Sequence, residues 1–380
     1  MTSAEVLLVG GGPAGSSCAW TLRQAGIDVL LLDRARFPRD KVCAGWITPA
    51  VVEALDLDVN DYRRTRTFQP ITAFRTGVMG RDLVDTAYGS AVSFGILRRE
   101  FDHYLLERSR ARLALDVHVN RIERTAAGWL VNGEYAAPLL VGAAGHFCPV
   151  ARWLNGPRRD EAVIAAKEVE FVLSPAQASV CRVSADAPEI YFCPDLAGYG
   201  WCFRKEQVLN VGIGRQDRHG LSEHLERFVA GLQHAGRLPH DLPNAWRGHA
   251  YLLYDSSPRA MVAENMLLIG DAAGLAYSQS GEGIRPAVES GLLAAQAILA
   301  VIRDHRSDAL ANYHTTMQAR FGRRAGPHDR AMSGNGLLPR AAVSGVARRL
   351  LGTRWFSRHV VLDRWFLHRH EAPITKRVVP

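Results

Sequence analysis

The hydrophobic pattern at the N-terminus predicts a β–α–β unit. Residues 4–9 form a short apolar run, a glycine-rich turn follows, and a helix is expected from about Pro13 to Gly26. A second apolar run, IDVLLLD, ends at Asp33. Two strands joined through a helix lie parallel in a sheet, so this start indicates a parallel α/β arrangement.

Farther along, the pattern alternates between helical and strand periods. Phe101, Leu105 and Leu106 give residues 97–112 a helical apolar face, and LLVGAAG at 139–145 is typical of a buried strand. From about residue 162 to 215, short alternating runs separated by Pro, Gly and Asp predict an antiparallel sheet. Its predicted strands are AVIAAKEVEFVL, ASVCRVSA, EIYFC, YGWCFR and VLNVGIG. NMLLIGDAAG at 265–274 then returns to a strand and turn, before a long helix from roughly Gly283 to Ile302.

The composition fits a folded protein with one or two cores, because 47% of the 380 residues are hydrophobic. An apolar strand begins within five residues, without a basic region or a cleavage site, and uninterrupted apolar runs are shorter than the roughly 18 residues of a membrane span. We therefore expect a cytoplasmic protein. The six cysteines include no CxxC pair and no zinc-like spacing, so we expect free thiols and no metal site.

The net charge of +8 is concentrated at the C-terminal end. From Arg320 onward there are thirteen Lys or Arg and three acidic residues, a local charge of +10 that leaves −2 for the rest of the chain. A solvated basic face explains such a tail, and peripheral contact with an anionic membrane or an acidic protein is the alternative. Nucleic acid is not an expected partner, because no binding motif accompanies the charge.

A dinucleotide-binding fingerprint occupies the first turn. Gly10, Gly12 and Gly15 fit G-x-G-x-x-G, in which the glycines permit a tight turn, the approach of a pyrophosphate and close helix–strand packing. The N-terminus of the helix that follows offers unpaired N–H groups to phosphate. Asp33 ends the next strand, near the distance expected for a ligand to a ribose hydroxyl.

Three stretches together resemble the flavoprotein superfamily of aromatic hydroxylases and geranylgeranyl reductases. They are the fingerprint above, Arg98-x-x-Phe101-Asp102, and the GDAAG and GEGI segments between residues 270 and 284. The resemblance implies FAD as the cofactor, and no residue is identifiable as a covalent tether. It further implies that Asp271 binds the ribityl chain and that Arg98 lies near the FAD phosphates. An exposed charge at a helix start is the alternative for Arg98.

In the same superfamily, the helix that opens at Gly283 directs its N-terminus at the flavin N1–C2=O edge, where negative charge develops on reduction. The predicted cofactor-binding residues are Gly10, Gly12, Ala14, Gly15, Asp33, Arg34, Arg98, Gly270, Asp271, Gly281, Gly283 and Ile284.

Over roughly residues 4–300 the sequence is similar to geranylgeranyl reductases and their bacterial relatives. FPRDKVCAGWITP at 37–49 resembles their Pro-Arg-x-Lys-x-Cys-Gly-Gly stretch, which implies that Cys43 and Trp46 lie beside the flavin as the catalytic candidates. GYGWCFR at 198–204 resembles their Tyr-x-Trp-x-Phe-Pro substrate motif. Inert packing is the alternative for Cys43.

Side chains alternate along a strand, so three aromatic residues of the substrate motif should share one face. The predicted substrate-binding residues are Tyr199, Trp201, Phe203 and Arg204. Packing in the core is the alternative for the aromatic residues. Arg204 replaces the terminal Pro of the motif, and either contact with an anionic head group or solvation accounts for it.

One further departure concerns the electron donor. Ala144-Gly145 stands where the superfamily has Asp-Gly, an Asp that helps organise FAD and the use of NAD(P)H. We therefore expect slow direct reduction by NADPH or NADH, and NAD(P)H or another reductant remains open as the donor. The neighbouring His146 is more typical of a turn residue than of a catalytic base.

Together these features predict an α/β protein: an interrupted Rossmann-like FAD-binding domain, an inserted antiparallel-sheet substrate domain, and a helical, basic C-terminal segment. The predicted FAD-binding domain spans 1–70, 95–158 and 258–320, the substrate domain 71–94 and 159–257, and the C-terminal segment 321–380.

The first functional hypothesis is an FAD-dependent oxidoreductase acting on a bulky apolar substrate, reducing C=C bonds of an isoprenoid or related lipid. The alternative is a monooxygenase that hydroxylates an aromatic group of a small molecule or a peptide, because the same fold serves both reactions. A halogenase is disfavoured by the absence of a Gly-Trp-x-Trp-x-Ile-Pro sequence. A prenyl-binding protein without redox chemistry is disfavoured by the retained Asp33, Asp271 and both glycine segments.

Overall fold

The computed structural model describes residues 1–157, 161–217, 220–304, 308–324 and 340–374. Within them, a mainly parallel sheet forms one half of the folded molecule. Its strands pair in parallel, except for the antiparallel pair at one edge. In spatial order they are Val262–Ala263, Met266–Leu268, Leu139–Gly142, Val6–Val9, Val29–Asp33 and Arg112–Leu115.

Helices cover this sheet because its central strands are apolar on both faces and must be buried on both. The covering helices are Pro13–Gln24, Arg98–Ser109, Ile284–Asp304 and Ala309–Phe321. Gly291 lets two of them approach closely, since a Cβ at this position would contact the backbone oxygen of Ala14. A smaller sheet at the edge consists of Thr2–Ser3, Tyr135–Ala137, Gly128–Val131 and Ile122–Thr125.

The second half of the molecule is a large sheet in which one pair of strands is parallel and the others are antiparallel. In spatial order its strands are Arg247–Leu252, Val163–Val172, Val208–Arg215, Gly198–Lys205, Glu189–Phe192, Ala73–Val78 and Val84–Ala87. The inserted antiparallel sheet expected from the sequence is therefore present. A separate three-stranded sheet consists of Trp46–Ile47, Ser93–Gly95 and Gln69–Ile71.

One strand prediction in this region is wrong. The run ASVCRVSA does not join the sheet, and residues Pro175–Val180 form a helix instead. Ser174 caps the helix by accepting from the Gln177 amide, and the Gln177 side chain accepts from the Ser174 amide. This capping box, together with proline at the first helical position, is a sequence signal that hydrophobic alternation overlooked.

The two faces of the large sheet pack against different partners. One face is covered by the helix Leu221–His234, whose Leu225, Phe228 and Leu232 contact Val211 and Ile213. The other face presents aromatic and polar side chains toward the parallel-sheet half. The C-terminal segment joins this second face through Leu351, Val361, Leu362, Phe366 and Leu367. Its described elements are Arg340–Leu351, Arg354–Phe356 and a π-helix over Ser357–Phe366.

Short helices complete the described fold: Pro49–Ala54, Val59–Tyr62, Pro149–Asn155 and a 3₁₀ turn at Gly270–Ala272. The predicted long helix near 283–302 is Ile284–Asp304, and that near 97–112 is Arg98–Ser109. Among the described residues, Ile284–Arg303 alone is long and apolar enough to cross a membrane, and 67% of that stretch is buried inside the protein. Arg330 and the other tail residues at 325–339 and 375–380 lie outside the described residues.

Candidate functional site

A cavity of about 780 Å³ lies between the parallel sheet and the large sheet. We call its two sides the glycine wall, made of residues 10–14, 271 and 281–284, and the aromatic wall, made of Trp46, Tyr199 and Trp201. All of these positions except Gly11 line the cavity directly. Residues from the first 50 positions, from near position 200 and from positions 271–284 thus meet at one site.

The glycine wall begins with the fingerprint turn. Gly10 has a φ of +114°, and a Cβ at this position would contact the backbone of Ala143. A Cβ at Gly15 would contact the carbonyl oxygen of Gly10. The turn is held to the next strand by the Gly11 amide, which donates to Asp33 Oδ2 over 2.7 Å. These contacts explain why glycine is required at positions 10 and 15.

The helix that leaves this turn is suited to an anion. It starts at Pro13, its N-cap Gly12 has no side chain to bond the first-turn amides, and its first turn carries no acidic residue. The amides of such a turn carry partial positive charge and bind phosphate oxygens. Arg34, Arg39 and Arg98 line the same part of the cavity. The donor set therefore fits the pyrophosphate of FAD, and Asp33, the predicted ligand of the ribose, lines the same cavity.

Asp271 lies at the other end of the glycine wall, after the turn at Gly270. Burial opposes its ionisation, but the contact with His249 and the charge of Lys41 outweigh burial, so the pKa of Asp271 lies below its usual value. His249 Nε2 is 3.6 Å from Asp271 Oδ2, and Lys41 Nζ is 2.7 Å from the same His249 nitrogen. Burial lowers the pKa of Lys41 to about 8. An ionised carboxylate at this position can accept hydrogen bonds from a ribityl chain.

Gly281 and Gly283 bring backbone close to the cavity. A Cβ at Gly281 would contact the Tyr251 hydroxyl, and one at Gly283 would lie 3.3 Å from Asp271 Oδ1. Between them, Glu282 Oε1 accepts from the Arg285 amide over 2.8 Å at the start of the long helix. Burial raises the pKa of Glu282 to about 7. This helix start faces the cavity, as the flavin-edge hypothesis requires.

The turn that carries Cys43 is clamped by the large sheet. The Cys43 amide donates to Glu168 Oε1 over 2.7 Å, and the Cys43 carbonyl accepts from Asn210 Nδ2 over 3.2 Å. Lys205 Nζ donates to the next carbonyl, that of Ala44, over 2.9 Å. Because three side chains from three strands hold two consecutive residues, the Cys43 thiol has a fixed place in the cavity lining.

Arg98 is buried beside this turn. It forms a bidentate pair with Asp102, with two distances of 2.8 Å, and its positive charge acts on the Cys43 thiol. An exposed helix-start charge is therefore the wrong description of Arg98, whose side chain is 9% exposed. Burial raises the pKa of the Cys43 thiol above its usual value, although the Arg98 charge acts in the opposite direction.

On the aromatic wall, Tyr199, Trp201 and Phe203 lie on the same face of their strand, as alternation predicted. Trp201 Nε1 donates to Asn210 Oδ1 over 2.7 Å, which orients the indole. Phe203 lies behind this wall and packs edge-on against Trp46, with ring centroids 5.7 Å apart. Tyr199 and Trp201 contact the cavity, whereas Phe203 supports it as a core residue.

Arg204 does not reach the cavity. It follows Phe203 on the strand and therefore points to the opposite face, where its Nε donates to the Glu206 carbonyl over 3.0 Å. Its predicted contact with substrate has no support in this geometry. Gly15 and Gly270 also lie outside the cavity lining, where they permit close packing of the turns that form it.

Comparisons with known proteins agree with this arrangement. Residues 3–85 match a family model described as an FAD binding domain. A menaquinone reductase of Mycobacterium tuberculosis is 30% identical over 325 residues, 78% of this chain and 76% of that protein. A digeranylgeranylglycerophospholipid reductase of Methanothermobacter thermautotrophicus is 26% identical over 80% of this chain and 79% of its own length. A solved structure from Thermoplasma acidophilum, described as geranylgeranyl bacteriochlorophyll reductase-like, covers 93% of this chain and 92% of its own with a TM-score of 0.76 and 21% identity.

The chain belongs to the geranylgeranyl reductase-like family of FAD-dependent oxidoreductases. FAD as cofactor and an oxidoreductase activity are therefore confirmed. The relatives are named for isoprenoid lipids, which agrees with the apolar substrate predicted from the sequence. The roles of individual site residues and the domain boundaries stay predictions.

In this family member, the C-terminal segment packs behind the aromatic wall of the cavity. Phe366 packs against Trp46 and Tyr199, with centroid distances of 5.9 and 5.4 Å. The segment is tied to the glycine wall by Arg285, which donates to the carbonyl oxygens of His368, Glu371 and Ala372. The long helix therefore contributes to both ends of the site.

Ala144 and His146 lie at the cavity edge after the middle strand. Ala144 lines the cavity, so the missing Asp of the superfamily would have faced it. His146 is buried next to Arg259, which pairs with Glu161 through distances of 2.6 and 2.9 Å. This setting agrees with a turn residue held in a structural network.

Several site residues were missed by sequence reasoning. Lys41 lies within the stretch 37–49 that resembles the family motif, so the sequence alone could have identified it as a site residue. Glu168 lies on the same face of a strand as Ala166, which lines the cavity, and a charge at such a buried position is a signal of function. Glu170 shares this face but is exposed. Asn210, His249 and Tyr251 have no local signal, because only the pairing of distant strands brings them to the site.

Proposed function

We propose that this oxidoreductase adds two hydrogen atoms to a C=C bond of a prenyl lipid. The observation that carries the proposal is the continuity of the cavity. A glycine wall suited to a dinucleotide passes directly into an aromatic wall suited to an apolar chain, and Cys43 lies where the two meet. The family membership supports the same assignment.

Each wall has a separate task in the reaction. FAD, when bound and reduced, supplies the two electrons that the C=C bond requires. Trp46, Tyr199 and Trp201 exclude water from the apolar chain and orient it along the cavity. Cys43 holds a proton on its sulfur at neutral pH, since burial raises the pKa of the thiol. We assign this proton to the second carbon of the reduced bond, as general acid catalysis requires.

The test is the mass of the product. Reduced holoprotein is mixed with geranylgeranyl lipids or a menaquinone, without and then with O₂, and the products are analysed by mass spectrometry. Gain of two hydrogens without O₂ supports the proposal. Gain of one oxygen atom, seen only with O₂, replaces it with the monooxygenase. An unchanged lipid that co-purifies with the protein would indicate a prenyl-binding protein.

We further propose that the C-terminal segment docks on an anionic membrane. Val346, Leu350 and Trp355 are exposed by 59%, 41% and 67%, which is unusual for large apolar residues. Residues 340–362 contain five arginines and no acidic residue. Exposed Trp and apolar side chains suit the interfacial region of a bilayer, and each nearby Arg adds about 1 kcal/mol on an anionic surface.

This docking surface lies on the segment that packs behind the aromatic wall. Leu351 packs into the same cluster as Trp46 and Phe366, so the exposed patch and the aromatic wall are joined by a few buried side chains. A lipid substrate would then leave the bilayer next to the wall that receives it.

Vesicle flotation tests the docking surface. The protein should float with vesicles that contain phosphatidylglycerol, remain in solution with neutral phosphatidylcholine vesicles, and lose flotation in Trp355→Ser. The matched control is Trp153→Ser, because Trp153 is 45% exposed on the opposite half of the fold. Equal flotation of both variants and the wild type, or flotation independent of lipid charge, would contradict the proposal.

A further inference from the structure

Glu168 stands out among the buried groups because the reaction above does not use it. It is 4% exposed on a central strand of the large sheet, and its Oε2 has no hydrogen-bond partner among the described residues. An ionised carboxylate in such a place loses its hydration without full compensation. A protonated carboxyl loses much less, so the site favours the proton-bearing form.

Its position relative to Cys43 is direct. Glu168 Oε1 accepts from the Cys43 amide over 2.7 Å, so the carboxyl adjoins the residue that carries the thiol. The charge of the buried Arg98 also acts on the Cys43 thiol and favours its ionised form. The thiol is therefore subject to a fixed positive charge and to a carboxyl that can gain or lose charge.

The other polar and charged groups around Glu168 do not take its place at the Cys43 amide. Glu170 lies on the same strand and accepts from Lys205 over 2.6 Å and from Asn210 over 3.0 Å. Asn210 comes from the adjacent strand and Lys205 from the strand beyond it, and Trp201 packs over the same face. Burial, opposed by the Cys43 amide and increased by Glu170, raises the pKa of Glu168 to about 7.

We infer that Glu168 is a positioning residue that shares one proton with Cys43 and restores the thiol after each turnover. This inference rests on the proposed reduction. When Cys43–SH gives its proton to the substrate carbon, the sulfur becomes a thiolate held by Arg98. The Glu168 carboxyl then protonates the thiolate and becomes a carboxylate, which recovers its proton from solvent. The electron pair stays on sulfur until it takes up that proton, and no oxidant or reductant is needed.

A shared proton has a measurable consequence apart from turnover. Ionised Glu168 repels the thiolate and raises the thiol pKa, whereas a neutral side chain leaves the Arg98 charge unopposed. Glu168→Gln should therefore increase the alkylation rate of Cys43 by iodoacetamide at pH 7.5 by roughly tenfold, since only the thiolate reacts. The rate is measured on the holoprotein by peptide mass spectrometry, which separates Cys43 from the other five cysteines.

Glu170→Gln is the matched control. It removes a carboxylate from the same strand face and disturbs the same clamp, but it does not touch the Cys43 amide. The control should keep the wild-type dependence of alkylation on pH. In the wild type, two coupled groups should give a titration broader than that of one group. If Glu168→Gln is poorly folded, the width of the wild-type titration is the deciding measurement. A curve that fits a single titrating group would overturn the shared proton.

Turnover separates this inference from the proposed function. In steady state the wild-type rate should fall as pH rises through about 7, where Glu168 loses its proton, and this fall should be absent in Glu168→Gln, whose rate is already low. Alkylation that is identical in Glu168→Gln and the wild type overturns the role of Glu168, even when the product has gained two hydrogens. A product that has gained oxygen overturns the reduction, whatever the alkylation shows.

Discussion

The glycine wall and the aromatic wall of the cavity differ in the groups that form them. The glycine wall presents backbone amides, helix starts and two carboxyl groups, those of Asp271 and Glu282, and its geometry depends on positions where no side chain fits. The aromatic wall presents large side chains whose places are fixed by other side chains, such as Asn210 beneath Trp201. The first wall is thus determined by short segments, and the second by contacts between distant ones.

This difference predicts how each wall fails. A change at the glycine wall should remove the cofactor as a whole, because the backbone has no alternative path around an added Cβ. A change at the aromatic wall should alter the substrate or the chemistry while FAD stays bound. The following variants test that separation, in order of decreasing effect.

Gly15→Val should have the largest effect. Its Cβ would contact the Gly10 carbonyl, and overpacking against rigid backbone costs about 3 kcal/mol. We expect FAD affinity to fall by more than about 100-fold, measured from flavin absorbance after desalting and titration with FAD. Gly231→Val is the matched control, because no atom lies within 4 Å of a Cβ there. Retained FAD in Gly15→Val would show that the turn can rearrange.

Cys43→Ala tests the junction of the two walls. FAD should remain bound, and turnover should fall roughly ten- to a thousandfold, the range of a general acid contribution. Turnover is measured from product formation, with flavin content as the control for folding. Cys181→Ala, a buried cysteine on the opposite face of the large sheet, should keep wild-type turnover. Full turnover in Cys43→Ala would remove the thiol from the mechanism.

Trp201→Phe should act on the substrate alone. It keeps an aromatic ring but loses the hydrogen bond to Asn210 and part of the cavity lining. A loss of one to two kcal/mol in apolar contact corresponds to a KM about tenfold higher, with little change in FAD affinity. Trp153→Phe on the opposite half is the control. A KM that does not move would mean that the indole belongs to the core only.

Ala144→Asp should have the smallest effect, and it tests the cofactor side of the cavity. It restores a carboxylate at the cavity edge, where the superfamily has one. We expect reduction by NADPH to become a few-fold faster than in the wild type, or FAD to bind a few-fold more tightly, with dithionite reduction unchanged. Rapid-mixing absorbance measures both rates. Fast NADPH reduction of the wild type, unaltered by the substitution, would show that position 144 does not control the donor.

The sequence by itself determined the glycine wall, the parallel sheet and the alternation of Tyr199, Trp201 and Phe203. These features depend on neighbours within a few residues: a glycine turn before a helix, apolar runs of strand length, and side chains that alternate along a strand. Cys43 was also identifiable, since the stretch around it is similar to that of a known family.

Only the tertiary structure decided which partners surround those residues. Glu168 and Asn210 reach the Cys43 turn, and His249 reaches the cavity, because strands far apart in the chain pair in one sheet. Arg204 misses the cavity because its strand presents that position to the opposite face. The tail shows the same principle, since Phe366 meets Trp46 across more than 300 residues. Local propensity cannot encode such contacts, because they form only when several buried surfaces are satisfied together.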